Sequence, residues 1–256
     1  MSRIEADHVT LVLSGGNALG AYQAGAYEAL HEGGLRPNRV VGASIGAING
    51  ALIAGNVPEH RIDRLRAFWQ PAMAGPIGSG TVEDWRRDLA VVRAMLGGHP
   101  GLFAPRLTIW PPDEPHRPGL YDTAPLKRLL KNYADPVKLA ASSVDLRLGV
   151  VSLQAGEFRT IDKSVPDIHN WVYASCAMPV FFDPLQTSNG EQWVDGGVRD
   201  VTPLGAALEL NPTGVLVVRA SPVKSPAKSK RYGGLIPIGL RSVSLLQSEV
   251  SRNDFN

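Results

Sequence analysis

Residues 42–46 read Gly-Ala-Ser-Ile-Gly, directly after the apolar run Arg39-Val40-Val41. A G-x-S-x-G pentapeptide closing a β-rich run constrains the chain more than any other feature. It demands a strand that turns abruptly into a helix, with glycines standing where a Cβ would clash. Residues 45–53 are small and helix-compatible, so Ser44 is expected at a helix N-terminus, where backbone N–H groups favour developing negative charge. A serine presented in this way is a candidate nucleophile.

The residues before this turn follow the same rhythm. Residues 9–13, Val-Thr-Leu-Val-Leu, read as a strand buried on both faces and end at Ser14-Gly15-Gly16. A helix is expected over 19–32, stopped by Gly33-Gly34. The opening is therefore strand, glycine loop, helix, strand, tight turn, helix. Such alternation predicts a mostly parallel sheet with helices on both faces. The 256 residues suit one large α/β domain.

Further along, a helix is expected over 61–69. Residues 71–119 are rich in Pro and Gly and read as an insertion over the core sheet. Within it, Trp85, Leu89, Val92, Met95 and Leu96 share one helical face. That helix reads either as packing on the sheet edge, the commoner use of such a face, or as a lid. Asp122 can cap a helix from about 125 to 133. Strands over 144–153 and 157–161 are joined by Gln154-Ala155-Gly156, a hairpin signal. A short helix over 167–174, a strand over 192–194, a helix over 203–210, a strand over 214–219 and a helix over 235–252 complete the reading.

Composition excludes several function classes. A net charge of +2 is too mild to argue for nucleic acid. The single cysteine, Cys176, precludes an internal disulfide, favours a reducing compartment such as the cytoplasm, and reads as a small buried hydrophobe. The first residues hold no apolar run of signal-peptide type, and no stretch approaches the roughly 18 apolar residues of a spanning helix. A soluble protein is expected, at most peripheral at a membrane. Lys224, Lys228, Lys230 and Arg231 form a basic loop. It reads as a solvated segment first and as a contact for an anionic bilayer second.

A serine hydroxyl needs a base. In the α/β-hydrolase order, Ser–Asp/Glu–His, a histidine should follow late in the chain. The histidines stand at 8, 31, 60, 99, 116 and 169, none in the last third. Asp195 is the other candidate, following the apolar pair Trp193-Val194 and preceding Gly196-Gly197. A desolvated aspartate can take the serine proton. Taken alone, Asp-Gly reads better as an ordinary turn.

The loop Ser14-Gly15-Gly16-Asn17-Ala18-Leu19-Gly20 aims several N–H groups into one concavity. A Walker loop would need Lys and Ser/Thr where Ala21-Tyr22 stand. A dinucleotide fingerprint would need a third glycine where Asn17 stands, and an acidic residue where the second strand ends at Gly42-Ala43-Ser44. An oxyanion hole has no such further requirement.

These elements in this order resemble the patatin-like phospholipase family. The resemblance covers about 8–253, read as a single catalytic domain. It rests on the stretches 13–25 and 42–50 and on Asp195-Gly196-Gly197, with support from 174–179 and 198–204. It implies an α/β/α sandwich and a Ser–Asp dyad without histidine. Ser44 would be the nucleophile, Asp195 the base, and the amides around Gly15, Gly16 and Asn17 the oxyanion hole. It further implies lipid acyl hydrolysis, of phospholipase A, lysophospholipase or broader esterase type, with no metal or organic cofactor. The family loop usually carries a third glycine and an arginine where Asn17 and Leu19 stand here. An acyltransferase using the same serine and a catalytically weak lipid-binding protein are the alternatives.

Overall fold

Strand β1 (Val9–Leu13) is five apolar or β-branched residues, all buried. Its Leu11 and Leu13 join one core cluster and Val12 another, so the alternating side chains serve two packed faces. The computed structural model describes residues 9–16, 19–73, 101–106 and 118–220, together with Leu245 and Val250.

Helix α1 (Gly20–Glu32) follows β1, and strand β2 (Arg39–Ala43) leads through Ser44 into helix α2 (Ile45–Ala54). Helix α3 (Arg61–Met73), strands β3 (Ala104–Pro105) and β4 (Tyr121–Asp122), and helices α4 (Ala124–Tyr133) and α5 (Pro136–Ala140) come next. Strands β5 (Asp145–Ser152) and β6 (Phe158–Asp162) form the expected hairpin. Helix α6 (Ile168–Ser175), strands β7 (Leu185–Gln186) and β8 (Gln192–Asp195), helix α7 (Leu204–Leu208) and strand β9 (Gly214–Val218) close the described chain.

The strand order is β7-β8-β5-β2-β1-β9, with β6 also pairing β5. Its centre, β5-β2-β1-β9, is parallel, while β6, β7 and β8 add antiparallel pairs on one side. The sheet is therefore mixed around a parallel centre. Leu11, Leu13, Val40, Leu146 and Leu148 pack under α1 to α6, and Val12 and Val41 pack with Ala207 of α7 on the opposite face. The result is a three-layer α/β/α sandwich.

Two features of this sheet position the site. First, Leu13 lies opposite Gly42 in the parallel register, so the loop after β1 and the turn after β2 emerge side by side. Second, β2 and β8 share one edge of β5. β2 pairs with 145–149 and β8 with 150–152, while β6 covers 147–151 and must occupy the other edge. The two strands approach head to head: Ala43 lies opposite Gly149, and Asp195 opposite Val150.

Only a small part of the 71–119 insertion is described. β3 pairs antiparallel with β4, Phe103 packs edge-on against Tyr121, and Arg106 forks onto Asp183. The amphipathic stretch 82–96, read as a helix packed on the sheet edge or as a lid, and the basic stretch 224–231 lie outside the described residues. Of the helix expected over 235–252, Leu245 and Val250 are described, both helical. No helix among the described residues is long and apolar enough to cross a membrane.

Candidate active site

Ser44 sits between β2 and α2 with φ 55° and ψ −125°. A non-glycine residue at positive φ is uncommon and stores on the order of 1–3 kcal/mol of strain. The flanking glycines permit the turn for a steric reason. A Cβ at Gly46 would overlap the Leu13 carbonyl, and one at Gly42 would strike the Gly46 backbone. Strand and helix thus cross at backbone contact, and the serine is pushed outward.

The Ser44 hydroxyl donates to Asp195 Oδ2 at 2.7 Å. Ser44 is 9% exposed and Asp195 1%. The other carboxylate oxygen, Oδ1, accepts from the Gly197 N–H at 2.7 Å. Burial pushes the Asp195 carboxyl up to about 6, against the opposing pull of the Ser44 hydroxyl and the Gly197 amide. The carboxylate is a stronger base than a free aspartate for that reason.

Asp195 reaches this point by an unexpected route. A C-terminal strand end in a parallel sheet is the ordinary place for functional groups, but β8 runs antiparallel to β5. Its end meets the C-terminal edge of the parallel strands because it stops where β2 stops, from the other direction. Gly196 then passes so close to the Gly149 carbonyl that a Cβ would overlap it.

The glycine loop lies against the serine. A Cβ on Gly15 would stand 3.3 Å from Ser44 Cβ, and one on Gly16 would collide with Ala220. Of the residues expected to line an oxyanion hole, Gly15 has its N–H engaged with the Val201 carbonyl at 2.7 Å. The Gly16 N–H has no acceptor among the described residues. Asn17 lies outside them. Leu19, at the foot of α1, is exposed and donates its N–H to the Gly16 carbonyl.

Among the described residues no histidine meets this pair. His169 Nε2 lies 2.6 Å from the Ala134 carbonyl, and His31 packs beside Tyr27. His8, His99 and His116 are outside the described residues.

Sequence reasoning missed the polar groups that hold the loop and the turn. Gln23 donates to the Ser14 carbonyl at 2.6 Å. Asn49 donates to the Gly20 carbonyl at 2.9 Å and to Gln23 Oε1 at 3.0 Å, and accepts from Trp69 Nε1 at 2.8 Å. A signal was available: Asn49 is the only side chain with hydrogen-bonding groups in the otherwise apolar Ile45–Ala54 helix. A buried amide there must find partners. Ser175 and Cys176 also reach the Ser44 backbone. The Ser175 hydroxyl accepts from the Ser44 N–H at 3.1 Å, and Cys176 Sγ donates to the Ser44 carbonyl at 2.9 Å.

The comparisons with known proteins bear on the chain as a whole. No curated protein matches it. Among solved structures, VipD from Legionella pneumophila is similar at 19% identity over 76% of this chain, with a TM-score of 0.43. The alignment covers 46% of VipD, so this chain spans under half that protein's length. The model of the patatin-like phospholipase family matches residues 11–208, which takes in the glycine loop, the serine turn and Asp195. With that match over most of its length, the chain belongs to the patatin-like phospholipase family.

Proposed function

We propose that the protein is a serine acyl hydrolase acting on lipid or lysolipid esters through a Ser44–Asp195 dyad. The observation that carries this reading is the 2.7 Å hydrogen bond from the Ser44 hydroxyl to a buried carboxylate. Asp195 accepts the Ser44 proton as Oγ bonds to the ester carbonyl carbon, whose carbonyl electron pair moves onto oxygen. The Gly16 N–H, the adjoining Asn17 amide and the positive end of α2 receive that oxyanion. As the tetrahedral species collapses, the leaving alkoxide takes the proton from Asp195, and an acyl-Ser44 ester remains. Water then attacks the ester and gives a proton to Asp195. The acid departs and Ser44 Oγ recovers the proton.

The surroundings support an apolar acyl group. Leu19, Val180 and Val198 are exposed aliphatics carried by the loops that touch Ser44 or Asp195. Val180 is 70% exposed and sits at φ 74°, an unusual conformation for a β-branched residue. The family itself implies lipid acyl hydrolysis.

The test is hydrolysis of phospholipid and short-chain ester substrates by the wild type, Ser44→Ala and Asp195→Asn. Both variants are expected to lose at least about 10³-fold in kcat, since nucleophile and base act as a unit. Wild-type rates in both would remove the dyad. Added alcohol acceptors are expected to yield little transfer product; dominant transfer would make the protein an acyltransferase.

A further inference from the structure

The meeting of β2 and β8 on one edge of β5 leaves a break in the sheet. At this break the Ser44 N–H and carbonyl and the Asp195 N–H stand where neither strand continues. Three consecutive residues at the end of α6 take up the two N–H groups and add a donor to the Ser44 carbonyl, which also accepts from the Ala47 N–H at 2.9 Å. Ser175 Oγ accepts from the Ser44 N–H at 3.1 Å and donates to the Gly149 carbonyl at 2.6 Å. Cys176 Sγ donates to the Ser44 carbonyl at 2.9 Å. The Ala177 carbonyl accepts the Asp195 N–H at 3.0 Å.

We propose that Ser175, Cys176 and Ala177 form a clasp that sets the distance between Ser44 and Asp195, with Ser175 and Cys176 as its positioning side chains. This rests on the reading of Ser44 and Asp195 as the reacting pair. None of the three touches the substrate carbonyl in that mechanism; each acts on the backbone that carries a reacting group.

Three observations favour a positioning role over simple packing. Ser44 is strained at φ 55°, and such a conformation persists only where its surroundings over-determine it. Here both of its peptide groups are engaged by side chains of one remote element. Ser175 is fully buried, and its one hydroxyl proton and its acceptor are both in use. Its hydroxyl bridges β5 to the turn at the point where the strand ladder stops. Cys176 is buried and kept as a thiol, since burial above all, with the Asp195 charge beside it, pushes its ionisation up. It therefore serves as a donor and not as a second nucleophile.

The clasp also links the two halves of the site. Ser175 and Cys176 hold the serine, and Ala177 holds the aspartate, through adjacent peptide units with little freedom between them. A shift at α6 therefore changes the separation of Ser44 Oγ and Asp195 Oδ2 directly. A misplacement near 1 Å costs about 10²-fold in rate.

The test compares wild type, Ser44→Ala, Ser175→Ala, Cys176→Ala and Cys176→Ser. Ester hydrolysis is followed from pH 4 to 9, alongside labelling of Ser44 by a fluorophosphonate probe and thermal unfolding. Ser175→Ala is expected to lower kcat and the labelling rate about tenfold to a hundredfold, with KM within about threefold of wild type. Its low-pH limb is expected to move upward, because a misplaced Ser44 hydroxyl no longer holds the carboxyl down. Cys176→Ala is expected to lose a smaller factor, and Cys176→Ser, which keeps a donor, to restore it. If Ser175→Ala does not fold, the Cys176 pair decides. Equal rates and unshifted pH limbs in Cys176→Ala and in any folded Ser175→Ala, with Ser44→Ala inactive, would overturn the clasp alone. Full activity in Ser44→Ala would overturn the clasp together with the dyad.

Discussion

Asp195 carries an opposition between stability and function. Its carboxyl ionises near 6 in the folded chain against about 4 for a free aspartate. The native state therefore holds the proton more tightly than the unfolded chain does. The contribution of this group to stability is therefore greatest below about pH 4, falls as pH rises to about 6, and stays reduced above that. Asp195→Asn removes the buried charge with little change of shape. The variant is expected to melt several degrees higher than wild type at pH 8 and no higher at pH 4, as scanning calorimetry would show. At this size each kcal/mol moves Tm by about 2–4 °C. Activity should run the other way, with wild-type kcat/KM falling below about pH 6 as the base is protonated. A profile flat down to pH 4 would mean that Asp195 is not the base. Ser44 shows the same opposition, since the placement of its hydroxyl against Asp195 depends on a strained backbone.

At the scale of elements, the strands and helices were largely readable from the chain. Residues 45–54 form α2 where a helix was expected, and the β5–β6 hairpin turns at Gln154-Ala155-Gly156. Period-2 and period-3.6 patterning is local, so a sequence displays it. Asn49 stands out as a polar residue in an apolar helix, but its partners are not readable, because a hydrogen bond between α1, α2 and α3 leaves no spacing rule. Asn49 is the centre of one such link, tying the Gly20 carbonyl, Gln23 and Trp69 together. Asn49→Ala removes the acceptor of the Trp69 indole N–H and the donor to the buried Gln23 amide oxygen, at about 1–3 kcal/mol each. The expected result is a lower urea midpoint at unchanged slope, corresponding to about 3 kcal/mol. A loss under about 1 kcal/mol would mean that the network is not structural. Because the same network grips both ends of the glycine loop, kcat should fall with stability.

Over the whole molecule, a hydrogen-bonded tie among the described residues joins the insertion to the region before Asp195, beside the Phe103–Phe182 ring contact. Arg106 donates to Asp183 Oδ1 at 2.9 Å and to the Gly119 carbonyl at 2.6 Å, and the Gly119 N–H donates to Asp183 Oδ1 at 2.8 Å. Burial alone would raise the Asp183 carboxyl, but the Arg106 and Gly119 hydrogen bonds outweigh it and hold it below its usual value. This lowered ionisation stabilises the fold above the free-aspartate range and is lost as pH falls below it. Asp183→Ala leaves Arg106 partly buried without this carboxylate. It is expected to speed proteolytic cleavage near 101–122 severalfold at neutral pH, measured by limited proteolysis with mass spectrometry. Cleavage at the wild-type rate would show that the tie does not hold the segment.

The chain by itself determined the fold class, the order of its elements and the serine turn, because strand alternation, helix periodicity and glycine placement are written within a few residues of one another. It also directed attention to Asp195, by the absence of a late histidine and by family resemblance. Tertiary structure alone decided the geometry. β8 brings Asp195 in antiparallel, to the edge of β5 that β2 vacates. The Gly15 N–H, one of the amides proposed at the oxyanion hole, donates to the Val201 carbonyl. Ser175 and Cys176 close the gap from a third element. Each of these depends on where one strand stops relative to another more than a hundred residues away, and no local pattern encodes that.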